Sequence, residues 1–330
     1  MSAAHTPAVL IVAAGALTAG VLPAIADAGM LRLGGEILLA LAMAQMWNLL
    51  AGYTGLVSLG QQAFVGIGAY VLFDVSQRLG VSPFWLLPVA GVAGACAAAM
   101  VAPALFRLKD AYFSVGLWVF AEIVYLLVSK SDFLGQTSGR PLDTSQIADL
   151  ERFQMHAFWV ACTIGFGAVA GLHVLMRSRL GLALLTVRDN DVAAASLGVD
   201  VWRVRFAAFA ISGFGCALAG AAHYMASLFV APESAFDVNW VVMMMFVTLI
   251  GGIGTIEGPV VGVVIWFGLR ELLTNAFGLT GGWYLIGMGA VAVAVALWAP
   301  KGVWGLVRER LGWQGLSVRR APPLWEGQGR

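Results

Sequence analysis

The residue types that perform nucleophilic or acid–base chemistry are sparse in this sequence and lack catalytic spacing. A buried serine within reach of a histidine would allow an intramembrane serine protease. The candidates for such a pair are Ser58, Ser114, Ser212, His173 and His223. No GxSG loop and no paired-histidine pattern accompanies them. The sequence therefore gives no support to hydrolytic chemistry.

Metal and nucleotide chemistry also lack their sequence patterns. Cys96, Cys162 and Cys216 lie in apolar segments, without a CxxC motif or a Cys/His cluster that could hold a metal. No GxxxxGK[ST] motif occurs, and none of the three lysines follows a glycine, so the chain has no Walker A loop to bind nucleotide phosphates. We expect no enzyme activity and no cofactor in this chain, and any ATP hydrolysis must belong to another subunit.

Polar side chains inside apolar segments are the remaining candidates, and they suggest a solute pathway. An ionisable group at mid-membrane costs roughly 2.5 to 3.5 kcal/mol on insertion scales, so Glu122 should face protein or water. It could be a structural carboxyl, part of a pathway or a proton relay. For the amides, hydrogen bonding between helices is the alternative to solute contact. The candidate pathway residues are Asn48, Ser58, Gln61, Gln62 and Glu122.

The composition places these residues in a polytopic membrane protein. The 330 residues are 60% hydrophobic and only 11% charged, with a mean hydropathy of +0.86, far from the values of soluble domains. The net charge of +1 offers no basic field for nucleic acid. We expect an all-α bundle in contact with membrane lipid and no nucleic-acid partner.

Apolar segments long enough to span a bilayer predict about ten transmembrane helices. They are residues 8–26, 35–51, 61–77, 84–106, 112–129, 157–176, 206–228, 240–254, 259–273 and 283–299. With both termini cytoplasmic, the inner segments carry 13 of the 19 basic residues, the bias that the positive-inside rule requires. This predicts a transmembrane domain at 1–300, with a cytoplasmic loop at 176–205, and a cytoplasmic tail at 301–330.

The loop at 176–205 is the main polar interruption of the second half and predicts a short helix from Val192 to Leu197. Asp189, Asn190 or Asp191 could cap its N-terminus, and Gly198 suits the C′ position. Arginines surround it at 177, 179, 188, 203 and 205. An ordinary connecting loop is the alternative.

Two glycine-dense stretches predict either close helix packing or broken helices. They run from Gly52 to Tyr70 and from Leu249 to Gly262. Their positions do not match under a five-plus-five repeat, so internal duplication remains unproven. The candidate helix-break glycines are Gly55, Gly60, Gly251, Gly252, Gly254 and Gly258.

Three segments give the chain a family resemblance over about residues 35–300. They are GYTGLVSLGQQAFVGIGAY, LKDAYFSVGLWVFAEIVYLL, and the run from Ser178 to Pro259 with RDNDVAAASLGVD, FAISGFGCALAGA, PES and GGIGTIEGP. The chain resembles the LivM-type permease subunit of branched-chain amino acid ABC importers. That resemblance implies transport by alternating access across the bacterial inner membrane, without chemistry on the solute.

The resemblance also implies partners and a coupling element. The partners would be a second permease subunit, two cytoplasmic ABC ATPases that bind ATP and Mg, and a periplasmic or extracellular solute-binding protein. The segment from Arg188 to Gly198 would be the coupling helix that sits in a groove of the ATPase. The implied coupling residues are Arg188, Asp189, Asn190, Asp191, Ala193, Ala194, Leu197 and Gly198.

One departure from the family bears on the solute. The family commonly has histidine and a small residue where this sequence has Gln61 and Gln62 in SLGQQAF, which keeps hydrogen bonding but removes a titratable group. We expect a branched-chain, hydrophobic amino acid as solute, with urea or a short-chain amide as the alternative. A proton- or sodium-driven secondary transporter, with Glu122 as relay, is a further alternative.

Overall fold

Helices make up nearly all of the residues that the computed structural model describes, which are 6–109, 111–142, 149–276, 278, 281–299 and 301–311. The helices are α1 Thr6–Ile25, α2 Ala28–Thr54, α3 Gln62–Leu79, α4 Pro83–Leu105, α5 Ala111–Ser129, α6 Leu150–Arg177, α7 Arg179–Asp189, α8 Asp191–Ser196, α9 Val201–Ser227, α10 Pro232–Ala235, α11 Asn239–Gly251, α12 Glu257–Glu271, α13 Gly282–Trp298 and α14 Gly302–Leu311. A two-residue pair, β1 Arg140–Pro141 and β2 Phe229–Val230, is antiparallel.

The prediction of an all-α polytopic membrane protein is confirmed. Each of the ten predicted segments overlaps a helix. Six helical segments of the described chain are long and apolar enough to cross a membrane, namely α2, α4, α5, α6, α9 and Pro232–Gly251. Shorter apolar stretches lie in α1 and α13, at Ala13–Pro23 and Trp283–Val295. The number of crossings, about ten, stays a prediction.

Helix α2 is the centre of the bundle. Every residue from Leu38 to Thr54 is buried, and the helix packs against α6, α9, α11 and α12. A helix that is apolar all round belongs in the interior of a bundle and not at its lipid face. The helix is also longer than its predicted span, with 27 residues.

Small residues bring α9 close to α3 and α4. A Cβ at Gly68 of α3 would lie 2.0 Å from the Ala217 carbonyl oxygen, and one at Gly94 of α4 would lie 2.5 Å from the Gly213 carbonyl oxygen. Side chains larger than hydrogen at these positions would push the helices apart, which is why membrane helix contacts favour glycine and alanine. Helices α2, α3, α4 and α9 therefore form a close-packed block.

The two-residue strand pair fastens the loop after α5 to the end of α9, with Arg140 opposite Val230 and Pro141 opposite Phe229. Arg140 also pairs with Asp74 of α3, 2.9 Å from nitrogen to oxygen. These contacts hold the end of the bundle at which α3 and α9 finish.

The ends of the described chain approach the same end of the bundle as α8. Helix α1 runs antiparallel to α6, because Gly15 faces Phe166 and the Ala19 carbonyl accepts from Trp159, so α1 begins near the end of α6. Helix α14, the start of the predicted tail, packs against α11, α12 and α13. Residues 312–330 of that tail lie outside the described residues.

Candidate functional site

The polar loop between α6 and α9 folds into two helices, of which only the second was predicted. Ser178 caps α7 by accepting a hydrogen bond from the Gly181 amide at 3.3 Å, and Leu184 and Val187 are buried on its inner face. The serine followed by apolar residues at helical spacing was the signal for α7 that the sequence analysis missed. Helix α7 packs against α2, α6 and α9.

Helix α8 has the caps that its sequence predicts. The Asn190 side chain accepts a hydrogen bond from the Ala193 amide at 3.0 Å. At the other end Gly198 has φ 82°, and the Val199 and Gly198 amides donate to the Ala194 and Ala195 carbonyls, each at 3.0 Å. This is a Schellman motif. The helix begins and ends one residue earlier than predicted, at Asp191 and Ser196.

The outward surface of α8 is apolar. Val192 is 73% exposed and Leu197 is 78% exposed, and Ala193 is also exposed. Ala194 is fully buried, so this predicted coupling residue faces the bundle and not a partner. The two aliphatic side chains and Ala193 are the groups that a partner could contact.

Three arginines around α8 are paired with carboxylates of the same surface. Arg188 pairs with Asp189 at 3.1 Å, Arg203 with Asp200 at 3.0 Å and Arg205 with Asp191 at 3.3 Å. The last pair joins α8 to α9. Such exposed pairs contribute little free energy.

Arg188 also reaches into the bundle. Its Nη1 donates to the Gly52 carbonyl oxygen at 3.0 Å, in the last turn of α2. Gly52 in turn lies against Gly254, since a Cβ at Gly52 would be 2.6 Å from the Gly254 amide nitrogen. One guanidinium therefore connects the α7–α8 element to α2 and, next to it, to the segment between α11 and α12.

That segment is a helix break, as the glycine stretch predicts. Helix α11 ends at Gly251 and α12 begins at Glu257. Gly252 has φ 134° and Gly254 has φ 73°, a region of backbone conformation that side chains with a Cβ avoid.

Two side-chain amides of α2 form hydrogen bonds with the backbone groups of the break. The Asn48 side chain accepts from the Gly254 amide at 2.8 Å and donates to the Thr255 carbonyl at 2.7 Å. Gln45 donates to the Ile256 carbonyl at 2.7 Å. A broken helix inside a bilayer needs such partners because water is absent. Asn48 thus contacts the break and lies outside the cavities described below.

The other candidate glycines serve close packing or helix termination. A Cβ at Gly251 would lie 1.9 Å from the Gly258 carbonyl oxygen, so α11 and α12 touch through their backbones. Gly60 meets the backbone of α5 in the same way, and Gly55 follows the last residue of α2. Both predicted uses of glycine therefore occur.

Comparison with known proteins identifies the family. The family described as branched-chain amino acid transport system / permease component matches residues 29–296. The chain belongs to this family. No solved structure matches it.

Three relatives illustrate the likeness of this permease to known ones. The high-affinity branched-chain amino acid transport system permease proteins LivM of Salmonella typhimurium and Escherichia coli are 26% and 25% identical to it, over 80% of this chain and 67% of theirs. The probable branched-chain amino acid transport permease protein LivH of Methanocaldococcus jannaschii is 25% identical over 78% of this chain and 86% of its own.

The predicted pathway residues near the start of α3 are buried in this permease. Gln61 donates to the Ser212 hydroxyl at 2.8 Å, and Ser212 donates to the Met46 carbonyl at 2.9 Å. Gln61 thereby joins α3 to α9 and α2. The carbonyl of Ser58 accepts from the Trp47 indole at 2.9 Å. Gln62 is fully buried, and its side-chain amide makes no hydrogen bond to the described residues.

Glu122 lies apart from the other candidates, exposed on the surface of α5. Its exposed neighbours Val119 and Ile123 are apolar. The five candidates do not line a common cavity among the described residues. A cavity of about 780 Å³ beside α8 is instead lined by Arg107, Lys109, Arg205 and Asp191, among others.

Proposed function

We propose that this permease is a membrane subunit of an ABC importer that moves branched-chain amino acids across the bacterial inner membrane by alternating access. The family match over residues 29–296 carries the proposal. The relatives named above are branched-chain amino acid permeases, which favours these solutes over urea or short-chain amides. No observation favours an ion-driven transporter.

The α8 end of the bundle is the proposed docking surface for one of the two cytoplasmic ATPases, which would bind the ATP and Mg. Support comes from the exposed Val192 and Leu197 on a helix capped at both ends. A helix with fixed ends moves as a unit, whereas a flexible loop would absorb a displacement. Arg188 offers the route inward, because it joins α7 to the carbonyl of Gly52.

A second permease subunit is the proposed cover for the exposed face of α5. Glu122 lies in the middle of an apolar surface there, and lipid is a costly environment for a carboxylate. A neighbouring subunit would replace lipid around Glu122 with protein or trapped water. The solute-binding protein would dock at the opposite end of the bundle from α8, where solute enters.

The experiment is to purify the tagged chain from its own host after mild cross-linking and to read the complex by native mass spectrometry. We expect two permease subunits and two ATPases. In proteoliposomes with the binding protein outside and ATP inside, we expect leucine uptake that vanadate abolishes. Replacing both Val192 and Leu197 with Ser should release the ATPases and lower uptake at least tenfold, because an apolar docking face is lost.

The matched control is Leu79→Ser, which changes an exposed leucine, 64% accessible, at the far end of α3. It should leave ATPase binding unchanged. ATPase binding that survives the Val192 and Leu197 changes would contradict the docking surface. Uptake that needs no ATPase and stops with an uncoupler would contradict the importer.

A further inference from the structure

A cavity of about 390 Å³ opens at the end of the bundle opposite α8, within the size range of small-molecule sites. It lies between the start of α2, the end of α9, the start of α11 and the end of α12. Glu36 of α2 lines this cavity, and Gly52, which accepts the hydrogen bond from Arg188, lies sixteen residues later in the same helix. At about 1.5 Å per residue, the cavity and the Arg188 contact are roughly 24 Å apart along α2.

Glu36 carries two ion pairs with loose geometry. Its carboxylate oxygens are 3.8 Å from Nη1 of Arg270 and 3.7 Å from Nε of Arg32. Charge-assisted hydrogen bonds are about 1 Å shorter, near 2.7 to 2.9 Å. The Glu36 carboxylate and the Arg270 guanidinium therefore attract each other but do not form a close hydrogen bond, so both can still bond to a ligand. The Arg270 side chain is half exposed.

A second carboxylate, Asp237, lines the same cavity. One of its oxygens accepts from the Asn239 amide at 2.8 Å and the other from the Asn239 side chain at 3.0 Å. These bonds fix the carboxylate in place and leave further lone pairs for a ligand.

Large apolar side chains complete the wall. They are Met43, Trp240, Met243, Trp266 and Phe267. The Trp240 ring packs edge-to-face on His223 at 4.8 Å, and Trp266 packs on Phe246 in the same way at 4.8 Å. Packed indoles present a preformed surface to an aliphatic side chain.

We propose that this cavity binds the zwitterion of an α-amino acid with an apolar side chain. Glu36 and Asp237 accept hydrogen bonds from its ammonium group, Arg270 donates to its carboxylate, and the Trp240–Trp266 wall contacts its side chain. The inference rests on the proposed function for the direction of transport. It adds the residues that select the solute, which neither the family nor the relatives assign.

The balance of charges favours a zwitterion over the alternatives. A neutral amide offers no full charge to either carboxylate or to Arg270, so desolvating these groups would go uncompensated. A simple anion would find its attraction to Arg270 opposed by Glu36 and Asp237. A ligand that carries an ammonium group and a carboxylate on the same carbon complements the two carboxylates and Arg270 at once.

Ligand-observed saturation-transfer NMR on the full-length chain in lipid nanodiscs tests the assignment. The probes are leucine, 4-methylpentanoate, which lacks the ammonium group, and leucinamide, which lacks the carboxylate. Each charged hydrogen bond should be worth about tenfold or more in affinity. We expect leucine to bind at least that much more tightly than either truncated probe.

Two variants test which residue contacts the ammonium group of leucine and which contacts its carboxylate. Glu36→Gln should lower the preference for leucine over 4-methylpentanoate severalfold, because only Asp237 is then left to accept from the ammonium group, and Arg270→Gln should remove the preference for leucine over leucinamide. Glu36→Asp should keep more of the first preference than Glu36→Gln does. Glu233→Gln is the control, because this exposed carboxylate of α10 does not line the cavity, and both preferences should survive it. The thermal unfolding midpoint confirms that each variant is folded.

Equal binding of the three probes, absence of a leucine signal, or preferences that are unchanged in folded Glu36→Gln and Arg270→Gln would overturn the assignment. The NMR measurement needs no ATPase, so it separates this inference from the proposed function. Probe preferences as expected, with uptake that is independent of ATP, would refute the importer alone. ATP-driven uptake with no probe preference would refute the cavity alone.

Discussion

The two ends of the bundle are built in opposite ways. At the α8 end, Arg188, Asn48 and Gln45 make hydrogen bonds of 2.7 to 3.0 Å to backbone atoms. At the other end, Glu36 faces its arginines at 3.7 and 3.8 Å around an open cavity. The difference indicates that the Arg188 and Asn48 contacts keep their geometry under load, whereas the Glu36 carboxylate can reorient toward a ligand.

The largest effect is expected where the break meets α2. Asn48→Ala removes two hydrogen bonds and leaves the Gly254 amide and the Thr255 carbonyl unpartnered. The free energy of unfolding should fall by about 2 to 3 kcal/mol. Reversible unfolding of the chain in mixed micelles measures it.

Asn275→Ala is the control for that change, because this exposed amide follows α12 and contacts only Glu271 of its own turn among the described contacts. It should shift stability by less than about 0.5 kcal/mol. If the two variants are equally stable, the α8 end is not the tighter one.

A smaller loss of stability and a specific loss of transport are expected at Arg188. Arg188→Ala removes the donor to the Gly52 carbonyl, which should cost about 1 to 2 kcal/mol and lower ATP-driven uptake about tenfold at unchanged ATPase binding. Arg203→Ala serves for comparison, since the Arg203 side chain is 83% exposed and, among the described residues, pairs with the Asp200 cap of its own helix. If Arg188→Ala takes up solute as fast as Arg203→Ala, the hydrogen bond between Arg188 and the Gly52 carbonyl does not transmit the ATPase movement to α2.

The smallest effect on stability is expected at the open end. Glu36→Gln gives up two long ion pairs, and exposed pairs of this kind contribute about 0 to 1 kcal/mol. The unfolding free energy should change by less than about 1 kcal/mol, even though amino acid binding changes strongly. A loss as large as that of Asn48→Ala would mean that Glu36 is part of the framework.

Local signals in the sequence predicted much of the α8 end. Helix α8 was predictable because its caps, Asn190 and Gly198, act within a few residues. The break at Gly252–Ile256 was predictable because glycine density reports on backbone conformation. Hydropathy located the ten apolar segments, since burial in lipid or protein selects the same residue types.

Contacts between distant residues were beyond prediction. The partners of Asn48 follow it by more than 200 residues, and no local pattern indicates which carbonyl an amide will meet. Ala194 is buried because of how α8 packs on the rest of the bundle, and the local sequence does not reveal that packing. The cavity opposite α8 joins Glu36 of α2, Arg270 of α12 and Asp237 of the loop between α10 and α11, and each alone resembles an ordinary charge at the end of a span.

The enclosure of α2 has a consequence for biosynthesis. The carbonyl that Gln45 bonds belongs to a residue 211 positions later. At about 5 to 20 residues per second, a ribosome needs roughly 10 to 40 s to produce it. During that interval the side-chain amides of Gln45 and Asn48 lack these partners, so we expect the insertion machinery to hold α2 until residues 254–256 have been made.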